Sequence, residues 1–403
     1  MSLAASTGSP HDQADGQVQH GAKAHSDGGW GDTSHVPVQT RSQRFSSVNH
    51  SDFPAVTGLE VDWKLTPVRA VRALIDDELD GSQYPTQIED AAGATIEWVG
   101  RGDARVGSAG APEDRASANA WSSTESVLEI SFSGEEPIAV SVNRNGLGSG
   151  ARAAHTVVTA GKHSTSHLVL RSAGEANLVE NVEIVVEEGA NLTVVSLQEW
   201  DDEAIHLASH FAQVGRDAKL THIVVSLTGK IVRVNPSVHL SGEGSHADLY
   251  GLYFADAGQH LEQRVYLHHQ AANTTGRVNY KGALQGAGAR TVWVGDVLIG
   301  RNAAGTDSYE QNRNLVLSEG TRADSIPNLE IETGDILGAG HASATGRFDD
   351  EQLFYLQARG ISEAEARRLV VIGFLSEIVQ KIGDPALEKY LQQAILLELE
   401  GTR

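Results

Sequence analysis

The chain has 403 residues, with 31 Lys plus Arg against 53 Asp plus Glu, giving a formal net charge of −22. That charge argues against a nucleic-acid surface and against docking on an anionic membrane, because both draw affinity from basic side chains. The chain has no cysteine, so disulfides, thiolate nucleophiles and thiolate metal ligands are excluded together.

No apolar run is long enough to predict a membrane span. The N-terminus lacks a basic segment followed by an apolar one, so no signal peptide is expected and a cytoplasmic location is the default. Forty-two glycines against ten prolines suggest many tight turns joining short strands.

Residues 1–43 are Ser, Gly, Asp and His with little apolar content. They read as a disordered tail, and His11, His20, His25 and His35 as solvated side chains. Residues 44–150 read as an N-terminal mixed α/β subdomain. Thr66 is placed as the N-cap of a short amphipathic helix, with Pro67 as its first residue. Val68, Val71, Leu74 and Ile75 form its apolar face, and Gly81 is expected to end it. Short strands follow at TIEWV and VLEISF, among loops rich in Gly, Ser and Ala.

Residues 151–340 are read as the core. Short apolar segments recur there, several alternating with period two, such as LTHIVVSL. Similar turns precede many of them: EEGANL, GRDAKL, GEGSHADL, GAGART and SEGTRADS. The turns start roughly 27–32 residues apart with one wider gap, which predicts a stacked solenoid. No helix-length segment interrupts the run, so βαβ units are excluded. A mainly β fold follows, either a β-helix or an elongated sandwich.

Residues 341–403 read as a C-terminal helical domain that caps the solenoid's end. Capping boxes are expected at Asp349 with Gln352 and at Ser362 with Glu365. Gly360 and Gly383 mark helix ends, and Asp384-Pro385 opens a last helix. Leu369, Ile372, Phe374, Leu375, Ile378, Leu387, Leu391, Ile395 and Leu399 make its apolar faces.

Enzyme signatures are sparse. No phosphate-loop motif occurs, and Gly338-Ala339-Gly340-His341 opens no Rossmann helix. His206 and His210 in HLASH lack the Glu of a metalloprotease pair. His268 and His269 point to opposite faces of any strand. Glu199, Asp201 and Asp202 admit a lyase pair but read more simply as turn acids. His341 stands apart. It is expected in a GAGHASATG loop just past the last strand, where small neighbours let another chain approach and an imidazole can coordinate iron or zinc.

Six motifs in order carry a resemblance: RVNPSVHLSGEG, GLYFADAGQH, VNYKGAL, QNRNLVLSEGTRADSIPNLEIETGD, GHASATGRFDDEQLFYLQARGI and ARRLVVIGFLSEIV. With the earlier DFP and WKLTP elements, they resemble the SufB/SufD family of the SUF iron–sulfur cluster assembly system, from about Arg44 to the C-terminus. Members resembling SufB carry cysteines in the β-helix, and this chain has none, so the SufD branch is the better match.

The resemblance implies a right-handed parallel β-helix flanked by N-terminal and C-terminal α-helical regions. It implies a non-catalytic scaffold, paired with SufB through the β-helix and binding the SufC ATPase through its C-terminal helices. Phe354, Arg359, Phe374 and Glu377 are the expected SufC contacts. His341 matches the histidine that faces SufB at the cluster-building site. Some members carry a cysteine just before it; Gly340 stands there in this chain. No tightly bound cofactor is implied, only a transient Fe–S cluster or iron shared with SufB and a reduced flavin in the complex. The isolated chain is expected to admit a homodimer. Two competing readings are a β-helix polysaccharide lyase and a self-associating SufB-like scaffold.

Overall fold

The computed structural model describes residues 44–348 and 350–401. From β3 onward consecutive strands lie in opposite sheets, and next-but-one strands pair, so the chain winds as a two-walled β-solenoid. In spatial order, one wall holds β1 (Gln87–Glu89), β4 (Ile138–Asn145), β6 (Thr165–Gly174), β8 (Asn191–Trp200), β10 (Lys219–Thr228), β12 (His246–Ala255), β14 (Thr275–Leu284), β16 (Thr306–Val316) and β18 (Ile336–Arg347). The other holds β2 (Ala94–Gly100), β3 (Ser126–Phe132), β5 (Gly148–Ala160), β7 (Ala176–Val186), β9 (Ile205–Val214), β11 (Ile231–Leu240), β13 (His260–His269), β15 (Arg290–Ile299) and β17 (Arg322–Ile331). The strands of the expected α/β region at 44–150 therefore join the same two walls.

Pairing between described strands is parallel except at the N-terminal edge. There β1 runs antiparallel to β4, and β2 antiparallel to β3. The repeat seen in the sequence is the rung. Asn191, Lys219, His246, Thr275 and Asp307 stack in register on successive turns. The recurring turns place Gly189, Asp217 and Gly244 at positive φ. At Gly244 a Cβ would stand 2.3 Å from Asp217 Oδ1, so glycine is required there.

Over the central rungs both faces of each wall are covered, as parallel sheets demand. Along β10, Leu220 and Val224 enter the core between the walls, while Ile223, Val225 and Leu227 face outward. That outer apolar face is buried by α4 (Glu363–Val379) and α5 (Pro385–Glu400), through Val371, Leu375, Ile378, Leu391 and Ile395. The C-terminal helices thus lie along the flank of the solenoid and do not cap its end. The outward row Val195, Ile223, Val225, Leu252 and Phe254 is the apolar surface they bury. Ser362 and Asp384 are the N-caps of α4 and α5.

The second wall is covered by the N-terminal segment. Helix α1 (Val68–Asp76) buries Val68, Val71, Leu74 and Ile75. It ends at Asp76, ahead of Gly81, and Thr66 does not cap it. The Thr66 hydroxyl instead donates to buried Glu262 Oε2 at 2.9 Å. A second helix, α2 (Arg115–Ser123), is capped by Asp114. Its Ser and Asn content conceals it in the sequence. These side chains are consumed by packing: Ser117 Oγ donates to Asn181 Oδ1, and Asn119 Nδ2 to the Leu74 and Asp77 carbonyls.

The segment Arg44–Arg403 is one compact unit. The N-terminal tail with its histidines, and the side chains of the expected Asp349–Gln352 capping box, lie outside the described residues.

Candidate functional site at the C-terminal end of the solenoid

The N-terminal edge of each wall is finished by an antiparallel strand. The C-terminal edge is finished by β17 and β18, which have no further strand beyond them among the described residues. Both are only partly covered, and Leu337 on β18 is 81% exposed.

His341 belongs to this last strand, which corrects the expected loop. GAGHASATG forms β18 and pairs parallel with β16, setting His341 opposite Glu310. Its small residues suit a strand lying close over β16; a Cβ on Gly340 would stand 3.2 Å from the Tyr309 ring. Alternation turns Glu310, Asn312 and Asn314 inward on β16, and His341, Ser343 and Thr345 with them. Because no rung lies beyond, the His341 side chain is 47% exposed, whereas Glu310 is fully buried.

The inward polar groups divide into two sets. Asn312 Nδ2 donates to Tyr253 Oη, Tyr253 Oη donates to Asn314 Oδ1, and Asn314 Nδ2 donates to Asn312 Oδ1, all within 2.8 Å. Ser343 Oγ meets Ser325 Oγ at 2.8 Å, tying the two last strands together. Glu310 shares in none of this. Neither carboxyl oxygen has a hydrogen-bond partner among the described residues, and the buried Trp293 Nε1 nearby is also unpartnered. Space is tight enough that a Cβ on Gly295 would stand 2.2 Å from Glu310 Oε2. Burial, with Asp296 adding repulsion, pushes the Glu310 carboxyl up to about 8. The approach of His341 Nδ1 to Glu310 Oε1 is 3.8 Å.

Glu310 is the residue that sequence reading missed. The signal was available: it stands 31 residues before His341, inside the repeat length, so the two belong on adjacent turns. Among the described residues, no three His, Asp or Glu side chains converge to hold a metal. His341 and Glu310 are therefore at most part of a ligand set.

The other candidates disperse. His206 and His210 lie on a strand, too far apart to chelate one ion. The His206 Nε2 contacts Glu180 Oε1 at 2.7 Å, and His210 Nδ1 contacts His222 Nε2 at 2.9 Å. His269 turns inward to Thr274 and Ser308, while His268 turns outward to Gln270. Glu199 accepts from Arg171 and from Tyr390 of α5, so it is a packing residue and no half of a lyase pair.

The four expected SufC contacts fall into two environments. On α3 (Asp350–Gln357) Phe354 is 73% exposed, and the Arg359 guanidinium lies 4.5 Å from the Tyr355 ring. Phe374 and Glu377, on α4, are engaged with the chain's own β14. Lys281 Nζ donates to the Phe374 carbonyl at 2.9 Å and to Glu377 Oε2 at 2.6 Å, and Asn279 donates to Glu377 Oε1.

A family model described as "SUF system FeS cluster assembly, SufBD core domain" matches residues 142–374. An iron-sulfur cluster assembly SufBD family protein of Mycobacterium bovis is 46% identical over 377 residues, covering 91% of this chain and 94% of the relative. A Mycobacterium leprae protein of that family is 45% identical over 379 residues, covering 92% and 97%. A second M. leprae protein of the family is 30% identical over 221 residues, 55% of this chain and 25% of the relative.

Proposed function

This chain belongs to the SufBD family of the SUF iron–sulfur cluster assembly system, and on that premise we propose that it is the SufD-type scaffold subunit, pairing with SufB and binding SufC. A role in cluster assembly follows from the family; the partners and the division of labour are the proposal.

The observation that carries it is His341 on an unfinished solenoid edge in a chain without cysteine. Iron in a nascent cluster takes thiolates first, with imidazole as an accepted substitute. This chain supplies an imidazole and no thiolate. The thiolates then come from SufB, facing β17 and β18 across a subunit boundary. A site at a boundary opens when subunits move, which links cluster release to ATP hydrolysis in SufC. The cluster is cargo in this scheme, and the chain itself performs no reaction.

The exposed face of α3, with Phe354 and Tyr355, together with Arg359 in the turn that follows, is the proposed SufC surface. An exposed aromatic beside an arginine is the composition that anchors protein interfaces. Phe374 and Glu377 then act indirectly, by fixing α4 against β14. No described helix is long and apolar enough to cross a membrane. A cytoplasmic location is proposed with the function.

Co-expression with SufB and SufC, followed by affinity purification through this chain, tests the reading. A stable complex of the three is expected. Recovery of this chain alone, with both partners soluble and folded in the same extract, would refute it.

A further inference from the structure

We propose that Glu310 and His341 together form a two-donor half-site for ferrous iron, in which Glu310 is a ligand held in reserve inside the solenoid. The proposal deepens the assembly reading and rests on it for the identity of the metal.

Three observations converge. Register sets the two side chains on adjacent strands, turned to the same inward face. The last rung leaves His341 half exposed while Glu310 beside it is fully buried, so the pair spans from solvent to the interior. Both Glu310 oxygens are without a hydrogen-bond partner among the described residues. Buried polar groups are ordinarily satisfied, and an orphaned carboxyl at an open end calls for an explanation.

Geometry permits a shared ion. Two donors roughly 2.0–2.2 Å from one cation stand about 3.0–3.6 Å apart. The observed 3.8 Å needs only a small side-chain adjustment. One imidazole nitrogen and one carboxylate oxygen form a borderline donor set that suits Fe²⁺. The remaining positions fall to water in the isolated chain and to donors of the facing subunit in the complex. The absence of a third converging donor among the described residues fits a half-site of this kind. A ligand sheltered in this way would let the scaffold receive iron before the cluster is complete.

The test is Fe²⁺ binding to the full chain by anaerobic equilibrium dialysis at pH 8, comparing wild type, Glu310→Gln, His341→Ala and the double variant. The histidines of residues 1–43 contribute the same background to all four. Loss of an outer partner of a metal ligand already costs 10–100-fold in affinity, so either single substitution is expected to weaken the site by roughly tenfold or more. The double variant should be at least as weak as the worse single one, but by less than the two single losses combined. Glu310→Gln keeps the side chain's shape, and His341→Ala alters a half-exposed position, so the second tests the pair independently of core packing. Wild-type affinity in Glu310→Gln would overturn the proposal, even if His341→Ala still lowered cluster yield in the complex. Weakened Fe²⁺ binding in both variants, with cluster yield unchanged, would leave the half-site standing and remove its role in assembly.

Discussion

Among the described residues, Glu262 is a carboxylate held by several partners at once. It is fully buried, and it accepts from Thr66, contacts His260 at 3.0 Å and lies 3.4 Å from both Arg233 and Arg264. These cations hold its carboxyl down at about 2 despite the cost of burial. Removing one partner of such a set leaves buried charge uncompensated. Glu262→Gln is expected to lower unfolding stability by on the order of 3 kcal/mol, read from chemical denaturation. The loss should fall on the N-terminal cover first, because Arg233 stacks 4.0 Å from the Trp63 ring and Arg264 reaches the Val61 carbonyl. The buried histidines set the response to acid. Burial holds His210 down at about 4 and His222 well below the ordinary range. Below about pH 6.5 the unfolded chain takes up protons that the folded chain refuses, so stability falls as pH drops from 6.5 toward 4. Glu262 extends the loss from about pH 4.5 toward 2, because it must stay ionised to keep its partners. Thermal midpoints measured across that range should decline steadily on the acid side; a flat profile from pH 6.5 to 4 would contradict this account.

Secondary-structure elements differ in how plainly the sequence announces them. The rungs were legible because their turns repeat and because inward and outward apolar residues alternate, as Leu220 to Leu227 do. The α1 face was legible for the same reason, from Val68, Val71, Leu74 and Ile75. Helix α2 was hidden because, apart from Trp121, its buried side chains are small or polar (Ala116, Ser117, Ala118, Asn119 and Ala120) and make only a weak apolar stripe. His341 was noticed but misplaced, since Gly and Ala around it resemble a loop, and only pairing with β16 makes them a strand. Placement of α4 was equally out of reach, because its contacts are with residues some hundred positions earlier, such as Lys281 and Asn279. The fit of α4 against the flank makes a paired test. Leu375→Ala, in a fully buried position, is expected to cost about 2–5 kcal/mol. Phe354→Ala, at an exposed one, should stay within about 0.5 kcal/mol of wild type while weakening capture of SufC. Equal stability losses from the two would mean that the helices are packed differently.

For the molecule as a whole, the contrast between the two ends is the organising fact. Strands β1 and β2 run antiparallel at the N-terminal edge, whereas β17 and β18 end the other edge in parallel pairing and carry His341 on the last strand. An exposed strand edge invites a second chain. Under the proposed function, His341 on that edge would complete its site only with donors from a facing subunit. The net charge of −22 and the missing cysteines were readable at once, and they excluded a nucleic-acid surface and a thiolate of the chain's own. What composition could not give was that His341 lies on the last strand, since that depends on its pairing with β16. The most direct measurement is iron and acid-labile sulfide in the complex with SufB and SufC, purified anaerobically with wild-type chain or with His341→Ala. The account predicts unchanged assembly and a clear drop in cluster content for the variant. Equal cluster content in the two complexes would contradict it.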